Sequence, residues 1–287
     1  MNTFSQRHRP SCSFASPPAA PGFGRWPRLS VPSRFAPTHE HGGAHLKAAR
    51  RCRSQVRVTA ADPYSNPALY TNDDAFSLSS YWDERYRREG GAPFEWYRDY
   101  GSLEPVLSRH LDKSRRVLHV GVGTSRIQVQ MHYDGYVDIL NVDYAPVCIQ
   151  QLSALHASLP GLSYEVADCR TMPQFGDGAF GGGVLDKGTL DALLCGDSDE
   201  ADAAAMLREC HRVLTRGSAY VGITYAAPRT RLRYLQRPEL EWDVSFYEVG
   251  QQGWREGPVA VADCAPEQLA AYPKQTYSHF VYVCTRR

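Results

Sequence analysis

Val117-Leu118-His119-Val120-Gly121-Val122-Gly123-Thr124-Ser125 is a short apolar run that passes directly into a glycine-rich turn. Four residues bounded by glycine fit a buried strand, not a helix, which needs about 10–12. Glycine has no Cβ, so the turn lets the backbone approach a ligand closely. A helical stretch to about Tyr133 follows, and Tyr136–Val142 reads as a second strand ending at Asp143. Asp143 lies 20 residues after Gly123, where a carboxylate at the end of a second strand accepts hydrogen bonds from both hydroxyls of a ribose.

The alternation continues outward. Pro146 to His156 reads as a helix opened by proline in its first turn. Leu162–Ala167 reads as a strand ending at Asp168, and Ala179–Leu185 as a strand ending at Asp186. Asp199–Leu214 has a helical apolar face, and Ser218–Thr224 is a further strand. Upstream, Tyr81–Arg88 is a short helix broken by Gly90-Gly91-Ala92-Pro93, and Ser102 is placed to cap a helix carrying Leu103, Leu107 and Leu111. Two late strands, near Glu241–Val249 and His279–Thr285, have no long helix between them and are expected to pair as an antiparallel hairpin. Strands alternating with helices give an α/β, Rossmann-like, mostly parallel sheet with helices on both faces.

Ligands of such sheets bind at the carboxyl ends of the strands. Those ends carry Gly121, Gly123, Asp143, Asp168 and Asp186, which predicts a nucleoside-containing ligand. A dinucleotide fingerprint would place a third glycine where Arg126 stands, and no G-x-x-x-x-G-K-[ST] phosphate cradle occurs. Asp168 suits an adenine amino group. Ribose and adenine both read by carboxylates, without a phosphate anchor, point to S-adenosylmethionine. The eight cysteines form no C-x-x-C and the histidines no metal-ligand pattern outside His41 and His45, so no metal is expected.

From about Ser80 to Cys284 the chain resembles the class I, seven-strand methyltransferases, and within them the protein-lysine methyltransferases of elongation factor 1-alpha and citrate synthase. The matching stretches are Tyr81-Trp82-Asp83-Glu84-Arg85-Tyr86, Phe94-Glu95-Trp96-Tyr97, Val117–Ser125, Asn141-Val142-Asp143-Tyr144 and Asp186-Lys187-Gly188-Thr189-Leu190-Asp191-Ala192-Leu193-Leu194. The resemblance implies a seven-stranded sheet and S-adenosylmethionine as methyl donor. It places cofactor contacts on Trp82, Tyr86, Trp96, Gly121, Asp143, Tyr144, Asp168, Cys169 and Lys187, with Gly123 in the same loop. Trp82, Tyr86 and Trp96 would wall the methionine end, where a sulfonium gains from aromatic faces. Asp186 is the carboxylate expected to orient the acceptor amine. The expected partner is a protein presenting a lysine, met by a monomer. Methylation of a small thiol, halide or metabolite, or cofactor binding without turnover, are the alternatives. Two departures stand out. His119 occupies a position usually aliphatic, and Gly181-Gly182-Gly183 replaces a β-branched stretch, which should weaken that strand.

Composition divides the chain. Residues 1–60 hold ten Lys and Arg and one acid, Glu40, leaving 22 basic and 30 acidic residues of the totals of 32 and 31 to residues 61–287. Seven of 19 prolines and seven serines also lie in the first 60. A segment rich in Arg, Ser and Pro and poor in acids describes a transit peptide, here to the chloroplast with the mitochondrion as alternative. Residues 61–287 are then one methyltransferase domain, with an aromatic arm at about 80–100. The acidic body argues against nucleic acid, and no apolar run of about 18 residues exists to span a membrane. Residues 1–60 fused to a fluorescent protein are expected to enter an organelle. A diffuse cytosolic signal from the full-length fusion, with no processed band on a blot, would reject the transit peptide.

Overall fold

The computed structural model describes residues 76, 78–195, 199–250, 253–254, 257–272 and 278–287. The chain divides into two units between Thr71 and Asn72, and the described residues belong to the second. The expected boundary at residue 60 lies outside them. The described strands are β1 (Val117–Val120), β2 (Ile139–Asp143), β3 (Leu162–Val166), β4 (Gly183–Lys187), β5 (Ala219–Thr224), β6 (Trp242–Gly250), β7 (Gly253–Trp254), β8 (Val259–Ala260) and β9 (His279–Arg286). The helices are α1 (Ser79–Glu89), α2 (Tyr100–His110), α3 (Ile127–Tyr133), α4 (Pro146–Leu155), α5 (Thr189–Leu193), α6 (Asp199–Val213), α7 (Pro228–Leu235) and α8 (Pro266–Ala270).

All strands share one sheet in the order β3-β2-β1-β4-β5-β9-β6-β7, with β8 paired to β6. β1 to β5 run parallel, and β9 is antiparallel to both β5 and β6. Seven strands are long, and β7 and β8 have two residues each. β6 and β9 pair as expected from sequence, but not as a simple hairpin. β9 inserts between β5 and β6, and the chain between them carries β7, β8 and α8.

β1, β2, β4 and β5 are buried at every position, as strands covered on both faces must be. On one face Leu118, Val142 and Val184 pack against Met206, Leu207, Cys210 and Val213 of α6. On the other, Val117, Leu185 and Val221 meet Leu103 and Leu107 of α2 and Ile127 and Met131 of α3. Each such leucine, fully buried, contributes about 1.5–3 kcal/mol. Asp99, not Ser102, caps α2: its side chain accepts the Ser102 amide at 3.0 Å, and the Ser102 hydroxyl returns to it at 2.6 Å.

His119 is satisfied by its register partner. It faces Asn141 across the β1–β2 pair, and Nδ1 lies 3.2 Å from Asn141 Oδ1. Asn141 spends its amide on the carbonyls of Ile139 and Ser163, so its oxygen faces the imidazole as acceptor. Burial, helped by the nearby Lys187, pushes the His119 pKa down to about 3 and keeps the ring neutral. The glycine run also has a structural cause. β4 begins only at Gly183, and Gly181 and Gly182 precede it. The Gly182 amide donates to Arg116 O at 2.8 Å, and its carbonyl accepts from Asp112 N at 3.0 Å. A Cβ on Gly182 would stand 2.4 Å from the Arg115 carbonyl oxygen and 2.7 Å from that of Arg116. Two of the three glycines precede the strand, and the run lets two backbone segments touch. Gly182→Ala is therefore expected to destabilise by about 1–3 kcal/mol. Gly101→Ala, in α2 with open space at its Cβ, should instead stabilise by up to about 1 kcal/mol. Denaturant titration of both checks the opposite signs.

Candidate active site

The carboxyl ends of β1, β2 and β4 form one face of the site. Gly121 and Gly123 take φ of 61° and 52°, left-handed values that disfavour side chains. Gly121 is needed for packing: a Cβ there would lie 2.0 Å from Thr189 Oγ1, a hydroxyl that donates to Val120 O at 3.0 Å. The Gly123 amide donates to Asp143 Oδ2 and the Ala145 amide to Oδ1, both at 3.0 Å. Asp143 is 4% exposed, and burial outweighs these donors to push its pKa up to about 6. With about four lone-pair sites, the carboxylate keeps capacity for a further donor. Half-buried Tyr144 follows it, and Cys169 is buried in the same core cluster as Val142.

The segment Phe94–Arg98 is a strap across this edge, and its successive residues bind successive strands. The Phe94 amide donates to Thr124 O at 3.3 Å in the loop after β1. Glu95 accepts the Ser125 hydroxyl at 2.9 Å, the Arg126 amide, and the Lys187 ammonium at 2.8 Å. Lys187 also donates to Trp96 O at 3.1 Å. The Tyr97 hydroxyl donates to Asp191 Oδ2 at 2.8 Å, beyond β4. Arg98 reaches His279 Nδ1 at 3.1 Å at the start of β9, and the carbonyls of Val249 and Gly250 at the end of β6. Lys187 is thus held by the strap, its pKa lowered by burial against the opposing pull of Glu95. Glu95 stands in a quoted motif, yet sequence alone gives it no role, because its partners are 30 to 92 residues away.

The aromatic arm is brought together as expected. Trp82 stacks on Tyr86 with centroids 5.7 Å apart and meets Trp96 edge-on at 6.4 Å. A Cβ on Gly123 would come within 3.1 Å of the Tyr86 hydroxyl, so this ring backs the glycine loop. The cluster also encloses a cation of its own. The Arg85 guanidinium carbon lies 5.4 Å from Trp82, 5.1 Å from Phe94 and 5.4 Å from Trp96. Arg85 is the residue here that the sequence reading passed over.

Two of the expected carboxylates have partners within the chain. Asp186, 2% exposed, accepts the Thr189 amide at 2.8 Å, the Leu190 amide at 3.3 Å and the Tyr220 hydroxyl at 2.6 Å. It anchors the start of α5 and the neighbouring β5, so it does not stand ready to orient an acceptor amine. Burial still pushes its pKa up to about 6. Asp168 is gripped by Arg170 through Nε at 3.0 Å and Nη2 at 2.7 Å, and Arg170 continues to Asp202 at 2.9 Å. Burial acts to raise the Asp168 pKa, but the Arg170 bonds outweigh it and hold it below the usual value.

A methyltransferase-domain family model matches residues 118–221, from β1 into β5. The chain is similar to a bovine protein named EEF1A lysine methyltransferase 4, with 32% identity over 64% of this chain and 75% of the relative. The chain belongs to the class I S-adenosylmethionine-dependent methyltransferases. It is also 38% identical to a zebrafish eEF1A lysine and N-terminal methyltransferase, over 53% of this chain but only 22% of that longer protein. A structure solved in work on conversion of a disulfide into a thioacetal during echinomycin biosynthesis shares the fold, with a TM-score of 0.50 and 17% identity over 73% of this chain and 93% of that one.

The residues of this methyltransferase fit its methyl donor. The left-handed loop, the buried carboxylate with free lone pairs and the adjoining rings supply close approach, ribose acceptors and apolar walls. Asp143 would hold the ribose, Tyr144 and Cys169 would border the base, and Tyr86 and Trp96 the methionine end. When bound, S-adenosylmethionine supplies an electrophilic methyl on a sulfonium. Asp143→Ala removes acceptors worth about 1.5–3 kcal/mol each, so cofactor affinity should fall at least tenfold with the fold retained. In the wild type, affinity should weaken as pH falls through about 6, where Asp143 takes up a proton. Calorimetry across pH 5–8 checks both.

Proposed function

We propose that this methyltransferase modifies the ε-amine of a lysine in a protein, with elongation factor 1-alpha as the first candidate. The relatives named for that activity support the reading, over 75% of the length of one of them. The chemistry at the end of β4 agrees with it. An amine must arrive neutral, because its lone pair forms the new N–C bond as the C–S bond breaks and its electrons stay on sulfur. Lysine ionises at about 10.4 in water. At this site the buried carboxylates are spent on other partners, and the open walls are aromatic. Desolvation there, beside a sulfonium of like charge, disfavours the ammonium. No protein base is then required. The proton leaves to solvent before transfer, and the chain contributes by positioning.

Small-molecule methylation and turnover-free binding are the competing outcomes. We also infer that residues 1–60 carry the enzyme to the chloroplast and that it works as a monomer. The test incubates purified enzyme and radiolabelled methyl donor with recombinant elongation factor 1-alpha, followed by peptide mass spectrometry. A labelled lysine is expected, with a rate that rises with pH between about 7 and 9 as more acceptor becomes neutral. Label in a small molecule of a cell lysate, or in nothing, would overturn the reading.

A further inference from the structure

Asp191 lies in α5, 2% exposed. Its Oδ2 accepts the Tyr97 hydroxyl at 2.8 Å and its Oδ1 the Thr224 hydroxyl at 2.7 Å. Arg231 of α7 donates to the same Oδ1 through Nη2, and to Thr224 Oγ1 at 3.2 Å. The strap, α5, the end of β5 and α7 thus meet at one carboxylate. As a device for stability this is a poor choice. A buried ion pair rarely improves on apolar packing, and Arg231 also buries Nε and Nη1 without hydrogen-bond partners.

The group held there is the Tyr97 ring. Among the described residues, Tyr97 is the one non-glycine with positive φ, at 62°. The Arg98 amide closes a three-residue turn around it, donating to Trp96 O at 2.7 Å. Such backbone strain concentrates at functional sites. The ring stands over Gly188, where a Cβ would lie 3.2 Å away, with Tyr225 at 6.1 Å and His279 at 5.2 Å. β4 is flanked by β1 on one side and β5 on the other. The glycine loop and Asp143 occupy the β1 side, so an acceptor reaches the end of β4 from the β5 and β9 side, where Tyr97 stands.

We propose that Asp191 and Arg231 are positioning residues that set Tyr97 as the wall of the acceptor-amine pocket and keep the Asp191 charge away from that amine. This rests on the amine-methylation reading above. A carboxylate facing the amine would hold it as ammonium, which cannot react. Arg231 neutralises Asp191, and the Tyr97 hydroxyl covers the oxygen nearest the strap. The other charged groups around the ring are committed too: Lys187 to Glu95, Arg98 to His279, and Asp186 to Thr189, Leu190 and Tyr220.

Tyr97→Phe keeps the ring and uncovers Asp191 Oδ2. With elongation factor 1-alpha as acceptor, kcat at pH 7.5 should fall at least fivefold and recover as pH is raised, so that its pH profile moves upward. The dissociation constant for S-adenosylhomocysteine should stay within twofold and Tm within a few degrees. Asp191→Asn in the Tyr97→Phe background, if folded by its Tm, should move the pH profile back down, because the carboxylate is gone and the Arg231 cation left behind disfavours an ammonium. A Tyr97→Phe enzyme with lowered Tm but unchanged kcat and pH profile would overturn the proposal. If the wild type labels no lysine, the acceptor reading falls and this inference with it; a wild type that labels lysine while Tyr97→Phe matches it sinks this inference alone.

Discussion

The Glu95 carboxylate collects the Ser125 hydroxyl, the Arg126 amide and the Lys187 ammonium, and through them ties the strap to the adjoining ends of β1 and β4. Ser125 and Arg126 end the glycine loop, Lys187 ends β4, and Glu95 belongs to the strap. The Lys187 side chain is only 2% exposed. An ammonium buried that deeply needs an anion beside it, and removing one partner of a buried pair costs more than the pair contributes. The strap therefore lies over the sheet edge as a part of the fold that the charge on β4 requires. Trp96 and Tyr97 are carried into place because they follow Glu95 in sequence.

The same logic extends along the strap. Tyr97 is tied to Asp191, and Arg98 to His279 and the end of β6. Burial and the neighbouring Arg98 push the His279 pKa down to about 4, so the ring is neutral and its Nδ1 can accept from the guanidinium. Each anchor ties a strap residue to a different part of the sheet edge, Asp191 lying in α5 just after β4. On the β2 side the arm makes the contact instead: the Val147 amide of α4 donates to Asp83 at 3.4 Å and Gln151 donates to the Tyr86 carbonyl at 3.3 Å. Arg85 completes the arrangement from α1, with Trp82, Phe94 and Trp96 around its guanidinium. The aromatic arm and the strap thus share rings, and neither could shift without disturbing the other.

The parallel strands and the acids at their ends were legible because strands buried on both faces appear as short apolar runs. Contacts between distant residues were not. Asp186 follows a strand in the sequence, and nothing local reveals Thr189, Leu190 and Tyr220 as its donors. α7 has no clear apolar face in the sequence, because Pro-Arg-Thr-Arg-Leu-Arg looks polar throughout. Its inward side includes Arg231, a charge whose burial only Asp191 makes tolerable. The glycines before β4 have a role that sequence hides for a related reason. Their effect on strand propensity is visible in sequence, while the approach of the Arg115 and Arg116 backbone is not. Tyr97 carried a usable signal, since it directly follows Trp96 in a quoted motif, but its role depends on Asp191, 94 residues away.

Asp143 shows why the site and the stability of the fold pull in different directions. Its pKa in the folded protein, about 6, lies above the 3.8 of an exposed carboxylate. The stability that its protonation contributes is fully present below the unfolded value and is lost as pH rises through about 6. At neutral pH the free enzyme therefore carries an ionised carboxylate that its surroundings disfavour, with backbone amides from Gly123 and Ala145 offsetting only part of the burial. Ribose hydroxyls are donors of the kind still lacking. Bound at these oxygens, they would relieve a cost built into the free fold. The stabilisation conferred by the methyl donor should then grow as pH rises from 5 to 7, even while the free enzyme loses this one contribution.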